Sequence, residues 1–493
     1  MSNQSSFSLP KKIAATTSAL IAARYLKKRQ HDNINKELTK NRKIMIGGLP
    51  IAFYAVKSIF RRMTQQKVAD SITTLTTDEY SHNLIELLSA IKRASLENII
   101  LINIRATQGT VINKPLGSSK QFDGFDNLMF VKPQLGKISK PGNCNVDMEV
   151  TLGPKAQKPL VTKIPLLITG MAYGVALSEQ AKIALAKGAR TIGTATNSGE
   201  GPSLAEERKN AGRYILQIAR FPWGLRTNQE IESADMLEVQ VSQGAQSGTF
   251  YLTPEEIKGK ARKLMGLSRN QGITSLPAPL GVESVKDWRL LVDNLRKRAQ
   301  KIPIGVKMMA THKLEEDLEI AIDAGFDVIA IDGAQGGSFI SNATMQDDLG
   351  IPSLHALVRA VRYLQHRGIR NQISLIVAGG YYTPGSCLKA LALGADAIYL
   401  GTVPLYALVN KQHKKVLPLE PPTTLVSYSS KYKNKLDIDL GAERVANVLR
   451  SMVVEMEQVL RALGKSSIKD LNPDDLVALD SISAEITGVQ RVY

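Results

Sequence analysis

Cysteine is nearly absent: Cys144 and Cys387 are the only two in 493 residues. That is too few for a disulfide scaffold, a four-cysteine zinc site or a cysteine-ligated iron–sulfur cluster. A single bridge stays open, but the usage fits a reducing compartment, the cytoplasm. Histidine is scarce too, with six residues and no H-E-x-x-H run, so no zinc-hydrolase signature is present. No apolar run reaches the ~20 residues of an ordinary membrane-spanning helix. Acidic residues are missing before Asp32. What is abundant argues for a folded chain: 43% hydrophobic and 22% charged residues exclude a mainly disordered protein.

The net charge of +18 is unevenly placed. Residues 1–70 hold 14 Lys/Arg against Asp32, Glu37 and Asp70, a surplus of 11. Nucleic acid is a poor partner for this arm, because no zinc finger or RNP-like motif accompanies the charge. Two apolar runs, Ile13–Ala23 and Ile44–Val56, have basic flanks. A secretory signal would need a small-residue cleavage site where RYLKKRQ stands. The expectation is membrane-surface contact through residues 1–70, with Lys/Arg drawn to anionic lipid at ~1 kcal/mol each and the apolar runs dipping into the interface. A spanning segment, or two helices packed on the protein's own body, are the alternatives.

Residues 71–160 read as a covering segment, opened by a helix over Asp78–Ser95 with Leu84, Leu87, Leu88 and Ile91 on one face. From 161 to about 410, short apolar runs alternate with amphipathic helices. The candidate strands are Leu166–Thr169, Arg190–Gly193, Leu237–Val241, Ile273–Leu276, Ile304–Met308, Val328–Ile331, Ser374–Val377 and Ala397–Leu400. Their number and spacing predict an α/β fold, a (β/α)8 TIM barrel. A doubly wound sheet is disfavoured because no G-x-G-x-x-G follows the first strand. Residues 411–493 are a helical extension: Val445, Leu449, Met452, Met456 and Leu460 share one face, and Asn472-Pro473-Asp474-Asp475 predicts the start of a further helix.

In such a barrel the chemistry lies at the C-terminal strand ends. Gly379-Gly380 after the seventh strand and Gly401-Thr402 after the eighth bring backbone N–H groups together, the usual phosphate site of this barrel. Lys307 is a cation on the fifth strand, and a buried ammonium requires a partner. A flavin, whose N1–C2=O edge becomes negative on reduction, provides one; Asp332 on the next strand provides another.

The ordered pieces PLLITGMAYG, TATNSGEGP, EVQVSQGA, PIGVKM, IDGAQGG and AGGYYTPGSCLKALALGADAIYLGT, with the tail AERVANVLRSMVVEMEQVL, resemble the FMN-binding barrel of glutamate synthases and their stand-alone relatives, over about two-thirds of the chain. The resemblance implies an FMN-dependent oxidoreductase of CH–NH2 donors. The substrate would be a small imine or amino-acid-like molecule, and electrons would come from a separate donor protein. It implies that Gly170, Met171 and Ala172 line the flavin ring, and that Gly336, Gly337, Gly379, Gly380, Gly401 and Thr402 cradle ribityl and phosphate. Lys307 would face N1/O2, and Asn197 and Gln243 the ring's polar edge or the substrate; these three carry the catalytic roles.

The departures are specific. No cysteine cluster follows the eighth strand, where LYALVNKQHKKVLPLEPP stands, so no iron–sulfur cluster is expected. The chain begins MSNQSSF, without the family's glutaminase cysteine. Two family lysines are Gln240 and Gln246, an arginine after the strand-seven glycines is Tyr382, and the Pro-Pro-His stretch is Pro277-Ala278-Pro279-Leu280. A barrel of the inosinate-dehydrogenase kind would need a cysteine between Gly333 and Ile351, and there is none. Two functions therefore stand side by side: the flavin oxidoreductase, and a non-catalytic barrel acting as a membrane-associated scaffold.

Overall fold

The computed structural model describes residues 49–77 and 95–493 except positions 111, 113, 115, 123 and 300, together with Leu88, Ile91 and Lys92. The chain divides into two units, residues 1–108 and 109–493. In the first, helices cover Leu49–Thr77 and Leu96–Gln108. Ile59, Phe60, Met63, Val68 and Ile72 are exposed on the longer one. Among the described residues no helix is long and apolar enough to cross a membrane. The apolar run 13–23, and most of the helix expected over 78–95, lie outside the described residues.

The second unit is a barrel of eight parallel strands: β1 (Leu166–Ile168), β2 (Ala195–Asn197), β3 (Arg213–Ile218), β4 (Met236–Gln240), β5 (Ile304–Met309), β6 (Val328–Asp332), β7 (Ser374–Ala378) and β8 (Ala397–Leu400). Hydrogen bonding runs from β2 in sequence order to β8 and on to β1. The ring is drawn shut between β1 and β2 by the Thr194 hydroxyl, which donates to the Leu166 carbonyl at 2.6 Å. Strands covered on both faces read as near-continuous apolar runs, and Leu166, Leu167 and Ile168 are all buried.

Two of the expected strands are corrected. Arg190-Thr191-Ile192 is the last turn of α1 (Glu179–Ile192), and Gly193, at φ +76°, is its left-handed cap. The strand begins two residues later, at Ala195. Ile273–Leu276 is not a barrel strand; Ile273–Thr274 forms a two-stranded antiparallel sheet with Tyr251–Leu252. The structure adds β3, absent from the expected set because its apolar run is interrupted by Gln217.

Residues 109–160 fall in the same unit as the barrel. The antiparallel pair Val150–Leu152 and Leu160–Thr162 plugs the N-terminal end of the ring, where Leu152 and Leu160 cluster with Leu167, Ala195, Met236 and Val328. Among the outer helices are α2 (Leu314–Ala324), α3 (Ser353–His366) and α4 (Ile438–Ala462). The apolar face of α4 buries Val445, Leu449, Met452, Met456 and Leu460, each worth ~1.5–3 kcal/mol. It lies against α1 so closely that a Cβ at Gly188 would meet Val445 Cβ at 2.8 Å. The helix expected from Asn472 is a single 3-10 turn, Pro473–Asp475, despite its capping box. Leu476–Ala478 then pairs as a strand with Leu128–Phe130; sheet pairing and burial of Leu476 and Ala478 prevail over the local helix signal.

Candidate active site

Inward-pointing positions of the strands build a polar floor. Glu238 on β4 is fully buried and accepts from Asn197 Nδ2 (2.7 Å), Gln217 Nε2 (2.8 Å) and the Tyr399 hydroxyl (2.6 Å). Burial, with the Glu238 carboxylate beside it, holds the Tyr399 phenol well above its ordinary pKa, so it stays a donor. Two residues along, Gln240 sits next to Lys307 of β5 in register.

Above this floor the C-terminal strand ends surround a cavity of about 250 Å³. Its walls include Gly170, Met171 and Ala172 after β1, Gln243 after β4, and Lys307 from β5. Gly336 and Gly337 after β6, Gly379 and Gly380 after β7, and Gly401 and Thr402 after β8 complete the set expected at the cavity. Asn197 is the exception: it lies below, its side chain spent on Glu238, Tyr399 and the Gly199 amide. It braces the floor, because the last residue of a strand this short still points into the barrel.

Lys307 pairs with Asp332 and also reaches the cavity. Its Nζ lies 3.2 Å from Asp332 Oδ2, 3.1 Å from Thr169 Oγ1 and 3.5 Å from Gln243 Oε1, and it forms part of the cavity wall. Gln243 in turn donates to Gln246 Oε1 (2.8 Å) and Ser338 Oγ (3.2 Å). The β7 turn has φ +100° at Gly379 and +82° at Gly380. A Cβ at Gly380 would meet Gln335 Cβ at 2.9 Å, so both conformation and space demand glycine. The Ser353 hydroxyl, at the start of α3, holds this turn by donating to the Gly379 carbonyl at 2.6 Å.

Sequence reasoning missed Glu200, Gln217, Gln240 and Asp332 as wall residues. Glu200 sits in the stretch TATNSGEGP, where a carboxylate among glycines was the available signal. Gln217 was lost with its strand. Burial raises the Glu200 pKa, and Arg220 partly offsets this. Underneath, two buried cations tie the loops together. Lys182 Nζ donates to the carbonyls of Met171 (2.8 Å), Asn197 (2.9 Å) and Ser198 (3.1 Å). Arg226 donates to those of Gln217 (2.7 Å) and Gly201 (2.9 Å). Among the described residues no cluster of His, Cys, Asp and Glu could hold a metal ion.

Fold and cavity together define a (β/α)8 barrel with a small-molecule site at its C-terminal mouth. Residues 126–466 match the conserved region in glutamate synthase. The chain is 30% identical over 420 residues to a glutamate synthase large subunit-like protein of Rhizobium meliloti, covering 81% of this chain and 94% of that one. It is 29% identical to an archaeal-type glutamate synthase (NADPH) of Thermotoga neapolitana, over 73% of this chain and 72% of that one. With the archaeal glutamate synthase (NADPH) of Archaeoglobus fulgidus it shares 32% identity over 70% of this chain and 68% of that one. The chain belongs to the glutamate synthase family and is a glutamate synthase-like oxidoreductase.

Proposed function

We propose that the barrel is an FMN-dependent oxidoreductase acting at the carbon–nitrogen bond of a small imine or amine, with electrons supplied by a separate donor. The observation that carries this reading is the convergence of the β7 and β8 glycines with Lys307 on one cavity. The residues present fit the cofactor. Gly379, Gly380, Gly401 and Thr402 would hold its phosphate, and Gly170, Met171 and Ala172 would pack against its ring. Neither amide atom of buried Gln240 is hydrogen-bonded, which suits the donor–acceptor edge of the ring. Bound FMN supplies a two-electron acceptor and donor.

The chain's own groups do the rest. Lys307 places a positive charge where negative charge develops on reduction, and Asp332 and Thr169 hold its ammonium in that position. Gln243, fixed by Gln246 and Ser338, orients whatever lies beside Lys307. The floor of Glu238, Asn197 and Tyr399 keeps the inward strand ends rigid. Thr423, Thr424 and Val426, from the segment after the barrel, form part of the wall and narrow the mouth against water. The test is the visible spectrum of the purified chain. Flavin bands, with FMN released on heating, support the reading. A colourless chain that takes up no FMN refutes it and leaves a non-catalytic barrel.

A further inference from the structure

Electrons supplied from outside the chain need a face of the barrel that receives their carrier, and charge points to one. Between residues 411 and 436 stand six lysines, Lys411, Lys414, Lys415, Lys431, Lys433 and Lys435, against one acid, Glu420. That surplus of five is most of the surplus of eight carried by residues 109–493. Asp437, which follows, is spent as the cap of α4, accepting from the Leu440 amide. Among the described residues none of the six is ion-paired, whereas Lys187 and Lys260 of the same unit are.

Neutral groups fix these lysines in place and leave their charge uncancelled. Lys433 Nζ lies 4.0 Å from the centre of the Tyr428 ring and donates to the Tyr428 carbonyl at 2.7 Å. Lys431 and Lys435 lie over the Tyr432 ring at 5.0 and 4.9 Å. Lys415 donates to the Lys435 carbonyl at 2.8 Å, which joins the two lysine runs into one patch. Leu417 and Leu419, between the runs, are exposed. Apolar groups within a polar, charged surround are the anatomy of a protein-docking surface.

The patch is continuous with the cavity. Thr423, Thr424, Val426 and Ser427 of the same segment are in the cavity wall, and one peptide unit, ~3.8 Å between Cα atoms, separates Ser427 from Tyr428. The segment is stitched to the loop after β1: the Ser178 amide donates to the Val426 carbonyl and the Tyr428 amide to the Ala176 carbonyl, both at 2.9 Å. The Tyr428 ring meets Tyr173 edge-on at 5.6 Å, and Tyr173 is next in the chain to Ala172 of the wall. Anionic lipid would match the charge as well. A lipid surface held there would stand between a small polar substrate and the cavity, whereas a carrier docks and leaves.

We infer that the lysines of residues 411–435 form the docking surface for a small acidic electron-carrier protein that reduces the bound cofactor. This rests on the oxidoreductase reading above and names the partner of the same site. Two carriers, each oxidised by one electron, supply the two electrons of one reduction, and the accompanying protons come from water.

The test uses the full chain carrying FMN, with an acidic [2Fe–2S] ferredoxin and an acidic flavodoxin as probes. Lys411, Lys414 and Lys431 are exposed, and the patch variant combines Lys411→Glu, Lys414→Glu and Lys431→Glu. Lys158, Lys297 and Lys301 are exposed near the N-terminal end of the ring, and the same three changes there give a charge-matched control. Calorimetry measures binding of the oxidised carriers, and stopped flow measures reduction of bound FMN by the reduced ones. At low salt the patch variant should lose at least about tenfold in both, since steering by complementary charge is worth ~10–10³ in association rate. Its FMN content and its reduction by dithionite should match the wild type, as should every property of the control. Added salt should weaken carrier binding to the wild type and hardly change the patch variant. Equal loss in patch variant and control overturns the inference, as does failure of both carriers to bind the wild-type chain. Binding to anionic vesicles that the patch variant loses and the control keeps also overturns it, by making the surface a lipid site. A chain that holds no FMN refutes the preceding proposal instead. Carrier binding to the flavin-free chain then decides the surface, and its absence there overturns the inference as well.

Discussion

Replacing Lys182 should loosen the site from beneath. Lys182 and Glu207 are each 1% exposed and lie 2.9 Å apart. The ammonium also reaches the Met171, Asn197 and Ser198 carbonyls, all within 3.1 Å. Four oxygens around one nitrogen call for an ammonium, which has three hydrogens to give. Burial pushes the lysine pKa down and the Glu207 pKa up, and each charge counteracts the shift of the other. Lys182→Met keeps much of the volume but strands a buried carboxylate and leaves three carbonyls without their donor. Breaking a buried pair in this way costs ~3–5 kcal/mol. Glu207→Gln should cost less, because the three carbonyls still solvate the ammonium. The double variant should be markedly less unstable than the sum of the singles, with a coupling of ~2 kcal/mol. Because Met171 and Ser198 belong to the loops after β1 and β2, Lys182→Met should also weaken FMN retention, and Glu207→Gln should leave it nearly intact. Urea denaturation of the four proteins and fluorimetric FMN content are the measurements. Strictly additive singles, or full FMN occupancy in a folded Lys182→Met chain, would refute the reasoning.

Gly380→Asp places a side chain at φ +82° and a negative charge at the proposed phosphate site; FMN content should fall to background, and full occupancy would displace the phosphate from the β7 turn. Lys307→Met should retain flavin but make its reduction potential more negative, and Asp332→Asn, which leaves the lysine less neutralised, should make it more positive; unchanged potentials would leave Lys307 as a structural ion pair. On the outer surface, hydrogen bonds from Arg359 hold Glu315 below its ordinary pKa, as those from Tyr363 and Arg367 do for Glu319, and thereby clasp α2 to α3. A lowered folded-state pKa stabilises above the unfolded value of about 4.3 and is lost as pH falls below it. Glu315→Gln should therefore reduce the melting temperature slightly at pH 7 and by less at pH 3; an equal loss at both would rule out this linkage. Vesicle sedimentation checks the arm: the full chain should pellet with anionic lipid and be released in part by salt, whereas a chain beginning at Gly109 should stay in the supernatant; equal partitioning would remove residues 1–108 from any membrane role.

Local pattern by itself determined most of the barrel strands and the glycine loops that line its cavity. Strands buried on both faces must be written as short apolar runs, and turns with positive φ must be written with glycine. β1, β4–β8 and the Gly379-Gly380 turn were therefore legible, and the phosphate-type loops followed from strand order. The amphipathic stripe of α4 was legible for the same reason. Tertiary structure decided what local pattern leaves degenerate. Arg190-Thr191-Ile192 suits a strand as well as a helical turn, and only the Gly193 cap and the closing bond from Thr194 to Leu166 settle the register. The capping signals at Asn472 open one turn that a long-range strand pair then ends. Polar residues are the least legible. Whether Asn197, Gln217, Glu238 or Gln240 faces a ligand or a neighbour depends on which strand ends the closed ring brings within hydrogen-bond reach. Asn197, taken from the sequence for a contact residue, is bonded to Glu238 41 residues away and to Tyr399 202 residues away. Glu200, given no role from the sequence, takes its place in the cavity wall, with Arg220 partly offsetting its burial, only once the barrel has closed.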